Sequence, residues 1–116
     1  MSKIDLGYLT DITGGDAEIM VEMIDLFLVE TPKHIINMRS ELANEEWQNV
    51  GAEVHKLKPT LLYVGLKDLH EVALALEENG RKEKNLDDIP GLINDIEDGF
   101  NEVIDELKEK KAELLN

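Results

Sequence analysis

Apolar residues recur along this chain at alternating steps of three and four, the spacing that gathers side chains on one face of an α-helix. Four such stripes can be counted. Met20, Ile24, Phe27, Ile35, Met38 and Leu42 make the first, with Thr31 at the position expected between Phe27 and Ile35. Pro32 is expected to kink or split that helix, because its ring excludes a backbone hydrogen bond. Trp47, Val50, Val54, Leu57, Leu61 and Val64 form the second stripe, Leu66, Leu69, Ala73 and Leu76 a shorter third, and Ile89, Ile93, Ile96, Phe100, Val103 and Leu107 the most regular fourth. The charged end "KEKKAELL" extends the last helix into solvent.

Turn signals fall between the stripes. "TGGD" at 13–16 closes a short leading helix containing Leu6, Leu9 and Ile12, and Asp16 suits the N-cap of the next. "LANEE" at 42–46 reads as a turn, and "ENGRKEKNLDDIP" at 78–90 as the longest connection. Val and Ile occur at helical rather than alternating spacing, so no strand is expected. Helices joined by short connections imply an all-α, antiparallel four-helix bundle with the leading helix capping one end. With 116 residues and no linker or repeat, the expectation is a single domain over 1–116. Such a bundle buries all four stripes internally, so a monomer is expected.

Composition narrows the possible partners. Twelve basic against twenty-six acidic residues give a net charge of -14, which repels phosphate backbones and anionic lipid surfaces. Nucleic acid and membrane roles are therefore not expected. Cysteine is absent, so disulfides and thiolate chemistry are unavailable, in keeping with a reducing cytoplasm. No apolar run approaches the roughly 20 residues of a membrane span, and "MSKIDLGYLT" lacks the apolar core of a secretion signal. A soluble cytoplasmic protein is the expectation.

One helix breaks its own pattern. At about 100° per residue, His55 falls outside the stripe of the second long helix, on a face shared with Gly51, Ala52, Lys58, Pro59 and Leu62. Glycine costs a helix interior about 1 kcal/mol and proline about 3, so two poor helix formers flank one exposed histidine. Local choices that oppose the fold tend to mark functional sites. Gly51 and Ala52 clear space, Pro59 bends the helix at the His55 carbonyl, and Lys58 can bond an anion attached to the ring. No second base, phosphate loop, acidic metal cluster or serine nucleophile is visible beside them. The site can hold a phosphoryl group but not generate one.

"HKLKPTLLYVG", His55 to Gly65, resembles the signature of histidine-containing phosphotransfer (HPt) domains: histidine, Leu two positions on, Lys three on, a small residue four on and Gly ten on. His55, Leu57, Lys58 and Gly65 match. Pro59 stands where that family usually has glycine, and Leu62 where it commonly has a small residue. The leading "IDLGYLTDITGGD" and the acidic first long helix to "VETPKHI" are similar in order and length. The resemblance implies a carrier rather than an enzyme: His55 takes a phosphoryl group from the aspartyl phosphate of a response-regulator receiver domain and passes it to another. It implies Lys58 as the phosphoryl-stabilising residue, Gly51, Ala52 and Pro59 as the cleared approach, and Leu57 and Gly65 as motif support. Leu6, Leu9, Ile12 and Leu62 are the implied docking residues, with core packing as the alternative for the first three. The resemblance also implies a hybrid histidine kinase upstream, and no cofactor is expected beyond Mg²⁺ on the receiver. A helical adaptor that is not phosphorylated is the competing reading, and an enzyme using His55 as general base ranks last.

The remaining candidates have plain explanations. His34 and His70 lack an acidic or histidine partner one turn away and are expected at the surface or boundary, with no zinc. "NLDDIPGLINDIEDG" lacks the ligand spacing of a calcium loop. "GRKEK" at 80–84 is a basic island solubilising a turn, and Trp47 and Tyr63 are bundle packing.

Overall fold

The computed structural model of the chain describes residues 4–116; Met1, Ser2 and Lys3, which open the expected domain, lie outside the described residues. Five helices follow in order: α1 (Gly7–Thr13), α2 (Ala17–Ala43), α3 (Trp47–Tyr63), α4 (Lys67–Lys82) and α5 (Ile89–Leu115), with a 3-10 turn at Leu86–Asp88 leading into the last. No strand occurs among the described residues. The Asp16 carboxylate accepts from the Ile19 amide at 3.2 Å, capping α2 as its position predicts. Pro32 does not split α2, which runs unbroken for 27 residues.

The four stripes meet in one core. Their members are buried, with Leu42, Trp47 and Leu69 half-buried at its margin, and the Phe27 and Phe100 rings meet edge to face at 5.4 Å. Helix α3 packs on α4 and α2, and α5 closes the ring against α2 and α4. Half-buried pairs at the bundle surface, Lys111–Asp25 (2.8 Å) and Arg39–Glu97 (2.7 Å), tie α5 to α2, each contributing about 1 kcal/mol or less. No helix among the described residues is long and apolar enough to cross a membrane.

Two glycines set how closely α3 and α4 approach. A Cβ on Gly80 would lie 2.7 Å from the Trp47 carbonyl oxygen and 2.9 Å from the Gly51 nitrogen, and one on Gly51 3.1 Å from the Glu77 carbonyl oxygen. This contact corrects two expectations. Gly51 is buried against α4 and does not lie on the open face with Ala52. Helix α4 also continues through Asn79 and Gly80 to Lys82, so the connection to α5 is shorter than the 78–90 expected. Both follow from the same cause, which is that Gly80 belongs to the helix packing rather than to a turn.

Gly65 does the corresponding work at the other end of α3. It sits at φ 76°, and a Cβ there would collide with the Asp5 backbone, falling 2.6 Å from its nitrogen and closer still to its carbonyl oxygen. The Asp5 amide donates to the Val64 carbonyl at 3.0 Å, and Tyr8 stacks on Tyr63 with centroids 6.2 Å apart. These contacts hold α1 across the end of the bundle.

Candidate functional site

His55 projects from α3 at the seam with α4, its side chain 58% exposed. Its Nδ1 lies 2.6 Å from Oε2 of Glu77 on α4. Oε1 of the same carboxylate accepts from Lys58 Nζ at 2.6 Å, and Arg81, one turn further along α4, reaches Oε2 at 3.3 Å. The closeness that Gly51 and Gly80 permit brings Glu77 within reach of α3.

Glu77 is therefore the hub. Its side chain is 13% exposed, and burial pushes its pKa up. Hydrogen bonds from Lys58 and His55, with the charges of Lys58 and Arg81, outweigh burial and hold the carboxyl below its ordinary value. An ionised carboxylate only accepts, so the ring presents Nδ1–H to it. In the neutral imidazole the lone pair then resides on Nε2, the nitrogen left free of Glu77.

The other expected residues divide. Ala52 and Pro59 are exposed beside the ring, and Leu62 is 37% exposed on the same side. Helix α3 stays continuous through Pro59, where the Thr60 hydroxyl bonds the Leu57 carbonyl at 2.7 Å. Leu57 is core, and Gly65 serves the turn that cradles Asp5, so the two motif-support residues shape the fold around the histidine. Lys58 is half-buried and already engaged by Glu77. Among the docking candidates Leu9 is fully buried, because it faces inward from α1, and cannot present a surface. Leu6 is half-buried, whereas Ile12 is 46% exposed.

Sequence reasoning missed Glu77 and Arg81. They sit 22 and 26 positions after His55 and signal only to each other, as an i,i+4 pair on α4. A shallow groove that includes Leu74, Ala75, Glu78 and Arg81 runs beside the ring. His34 takes the boundary position expected of it, and it has a partner that its own helix could not reveal: its Nδ1 meets Glu53 Oε2 at 2.5 Å across the α2–α3 seam, and Asn37 donates to the same oxygen at 3.3 Å.

Comparison with known proteins agrees with this architecture. No curated protein shows significant sequence similarity to the chain. The solved structure of histidine-containing phosphotransfer protein B from Pseudomonas aeruginosa PAO1 superposes with a TM-score of 0.86 at 20% identity, covering 96% of each chain, and so shares the fold. A family model described as "Hpt domain" matches residues 22–110, from the first turns of α2 into the last turns of α5. A match over this much of the sequence, on a bundle of the same architecture, means that the chain belongs to the Hpt domain family, the histidine phosphotransfer proteins of phosphorelays.

Proposed function

We propose that Nε2 of His55 carries the phosphoryl group. The observation that supports this is the exposed ring with Nδ1 tied to Glu77, which leaves Nε2 as the nucleophile. The Nε2 lone pair attacks phosphorus of an aspartyl phosphate on a receiver domain, and the aspartyl oxygen leaves as a carboxylate. No proton has to depart. Nδ1 keeps its hydrogen, and Glu77 offsets the positive charge that forms on the phosphorylated ring. The reverse displacement returns the group to a second receiver.

Lys58 and Arg81 supply positive charge beside the ring and can turn from Glu77 to the arriving phosphoryl oxygens. Ala52 and Pro59 leave the approach low, while Leu62 and Ile12 offer apolar contact at its edges. The chain acts in this reading as a phosphocarrier without catalytic machinery of its own. Mg²⁺ and most of the apparatus belong to the receiver, and a hybrid histidine kinase stands at the head of the relay. One domain spanning the chain forms the transfer unit, complete as a monomer and working in the cytoplasm.

The test is incubation with a phosphorylated receiver domain and detection of acid-labile phosphate. Wild type should take up label and His55→Gln should not. Label on both proteins would refute His55 as acceptor, and failure of the wild type across a panel of receivers would favour the adaptor reading.

A further inference from the structure

Helix α2 carries a second apolar stripe on the face opposite its core stripe. Ile19, Leu26, Val29 and Ile36 are 44%, 57%, 54% and 67% exposed. Scattered surface apolar residues are ordinary, but these are not scattered. With Glu22 and Lys33, both exposed, they step by three, four, three, four and three, which is the a/d seam of a coiled coil. The row is about 25 Å long at 1.5 Å per residue.

Its order is also symmetric. About a point between Phe27 and Leu28, Leu26 mirrors Val29, Glu22 mirrors Lys33 and Ile19 mirrors Ile36. An antiparallel pair of identical helices related by a two-fold axis brings such mirrored positions together. We propose that this face of α2 docks against the same face of a second copy of the chain, forming a reversible antiparallel dimer.

Each layer then has suitable chemistry. Leu26 meets the second copy's Val29, Ile19 meets its Ile36, and Glu22 meets its Lys33, twice over by symmetry. The shallow, mostly apolar depression bounded by Glu22, Asp25, Leu26 and Val29 has the i, i+3, i+4, i+7 outline of a hole that receives a knob. That knob is the second copy's Val29. The flanking Asp25 is already compensated within its own chain by Lys111 at 2.8 Å, and Lys33, which reaches Glu30 at 3.4 Å in the single chain, turns to the second copy's Glu22. Glu77, the partner of His55, sits on α4, which lies diagonally across the bundle from α2, so both histidines remain open.

One helix face is small for a specific interface, and two chains of charge -14 repel each other. The dimer is therefore weak and strengthened by salt, which screens the long-range repulsion. Sedimentation equilibrium tests this. At concentrations up to about 1 mM, the mass should rise from 13.1 kDa toward twice that value, and further in about 0.5 M than in about 0.05 M salt. Leu26→Ser should abolish the rise.

The charge swap separates this pairing from general stickiness. Glu22→Lys and Lys33→Glu should each weaken dimerisation about tenfold, although they change net charge in opposite directions, and the double variant should restore it. Circular dichroism of these surface variants checks that the fold is retained. Phosphoryl uptake by each variant should match wild type, so failure of the dimer and failure of the carrier role are read separately. A wild type that stays at 13.1 kDa throughout overturns the proposal. So does a double variant no better than the singles, or a monomeric wild type whose uptake from a receiver is slowed by Leu26→Ser, which would assign the face to a different partner.

Discussion

The bundle contains two histidine–carboxylate pairs of nearly the same geometry, one on each side of α3. His55 meets Glu77 across the α3–α4 seam at 2.6 Å, and His34 meets Glu53 across the α2–α3 seam at 2.5 Å. In both, burial pushes the carboxyl pKa up and hydrogen bonds from the partners bring it below the ordinary value. The surroundings differ. His55 is 58% exposed and its carboxylate also gathers Lys58 and Arg81, whereas His34 is 17% exposed and its carboxylate gathers Asn37. Beside Glu53 stands Glu41, whose partly desolvated carboxyl is raised by burial and by its acidic neighbours Glu53 and Glu46. A phosphoryl group brings close to two negative charges. Only the outer pair combines an open ring with cations that can receive them, so access and local charge, more than the pair itself, separate the proposed phosphoryl acceptor from the inner histidine.

The largest effect should come from removing each histidine in turn. His55→Gln should lose all acid-labile phosphate uptake and leave the unfolding midpoint in urea near wild type. His34→Gln should keep uptake within about twofold but lose about 1–3 kcal/mol of stability, because Glu53 stays buried with a weaker donor set. Equal loss of uptake in both would end the distinction between the two pairs.

Next comes the spacing that creates the outer pair. Gly80→Ala gains about 1 kcal/mol of helix propensity, but its Cβ would meet backbone atoms of α3 at 2.7 and 2.9 Å, which cannot rotate away. A net loss of about 1–3 kcal/mol is expected in urea unfolding, with slower phosphoryl uptake as Glu77 moves off His55. Gly91→Ala, where nothing lies within 4 Å of the new Cβ, should stabilise by a few tenths to about 1 kcal/mol. If both glycines respond alike, close approach at the α3–α4 seam is not what positions the pair.

How much of this the sequence disclosed depends on whether a feature is repeated along one helix or made between two. The core stripes, the Asp16 cap and the exposure of His55 follow from spacing on single helices and are found where spacing places them. Glu77 and Glu53 are 22 and 19 positions from their histidines, and no rule confined to one helix reaches across that separation. Gly51 was expected on the open face for the same reason: its angle on α3 puts it near the boundary, and only the glycine opposite, on α4, decides that it is buried. Asn79–Gly80 reads as a turn by composition, yet helical packing against Trp47 overrides it. The motif points to the residue proposed to carry the chemistry, and the partners of that residue come from the seam.

Lys58 tests the charge side of the comparison. In the unphosphorylated protein it bonds Glu77 at 2.6 Å, so its removal takes away a donor to that carboxylate and a cation near the ring. Lys58→Ala should slow uptake from a phosphorylated receiver about tenfold, the effect of losing one charge-assisted hydrogen bond. Lys58→Arg should recover part of the rate. A normal rate in the alanine variant would remove Lys58 from the phosphoryl site.

The smallest effect concerns the acidic neighbour of the inner pair. The depressed pKa values of Glu53 and Glu77 mean that their stabilisation is present above the ordinary carboxylate range and is lost as pH falls through their folded values. Glu41 has the opposite sign. Its folded pKa is raised and its Oε2 is buried without a hydrogen-bond partner, so its contribution is most favourable when protonated and fades as pH rises through the folded value. At pH 7 the ionised side chain is a net cost, tempered by its partial exposure. Glu41→Met should therefore raise stability by about 0.5–1 kcal/mol near neutral pH, and the gain should shrink toward zero at about pH 3, below the ordinary carboxylate range, where the wild-type carboxyl is protonated in both states. Urea midpoints at the two pH values measure the difference. A gain that is independent of pH would assign the improvement to apolar packing rather than to the charge beside Glu53.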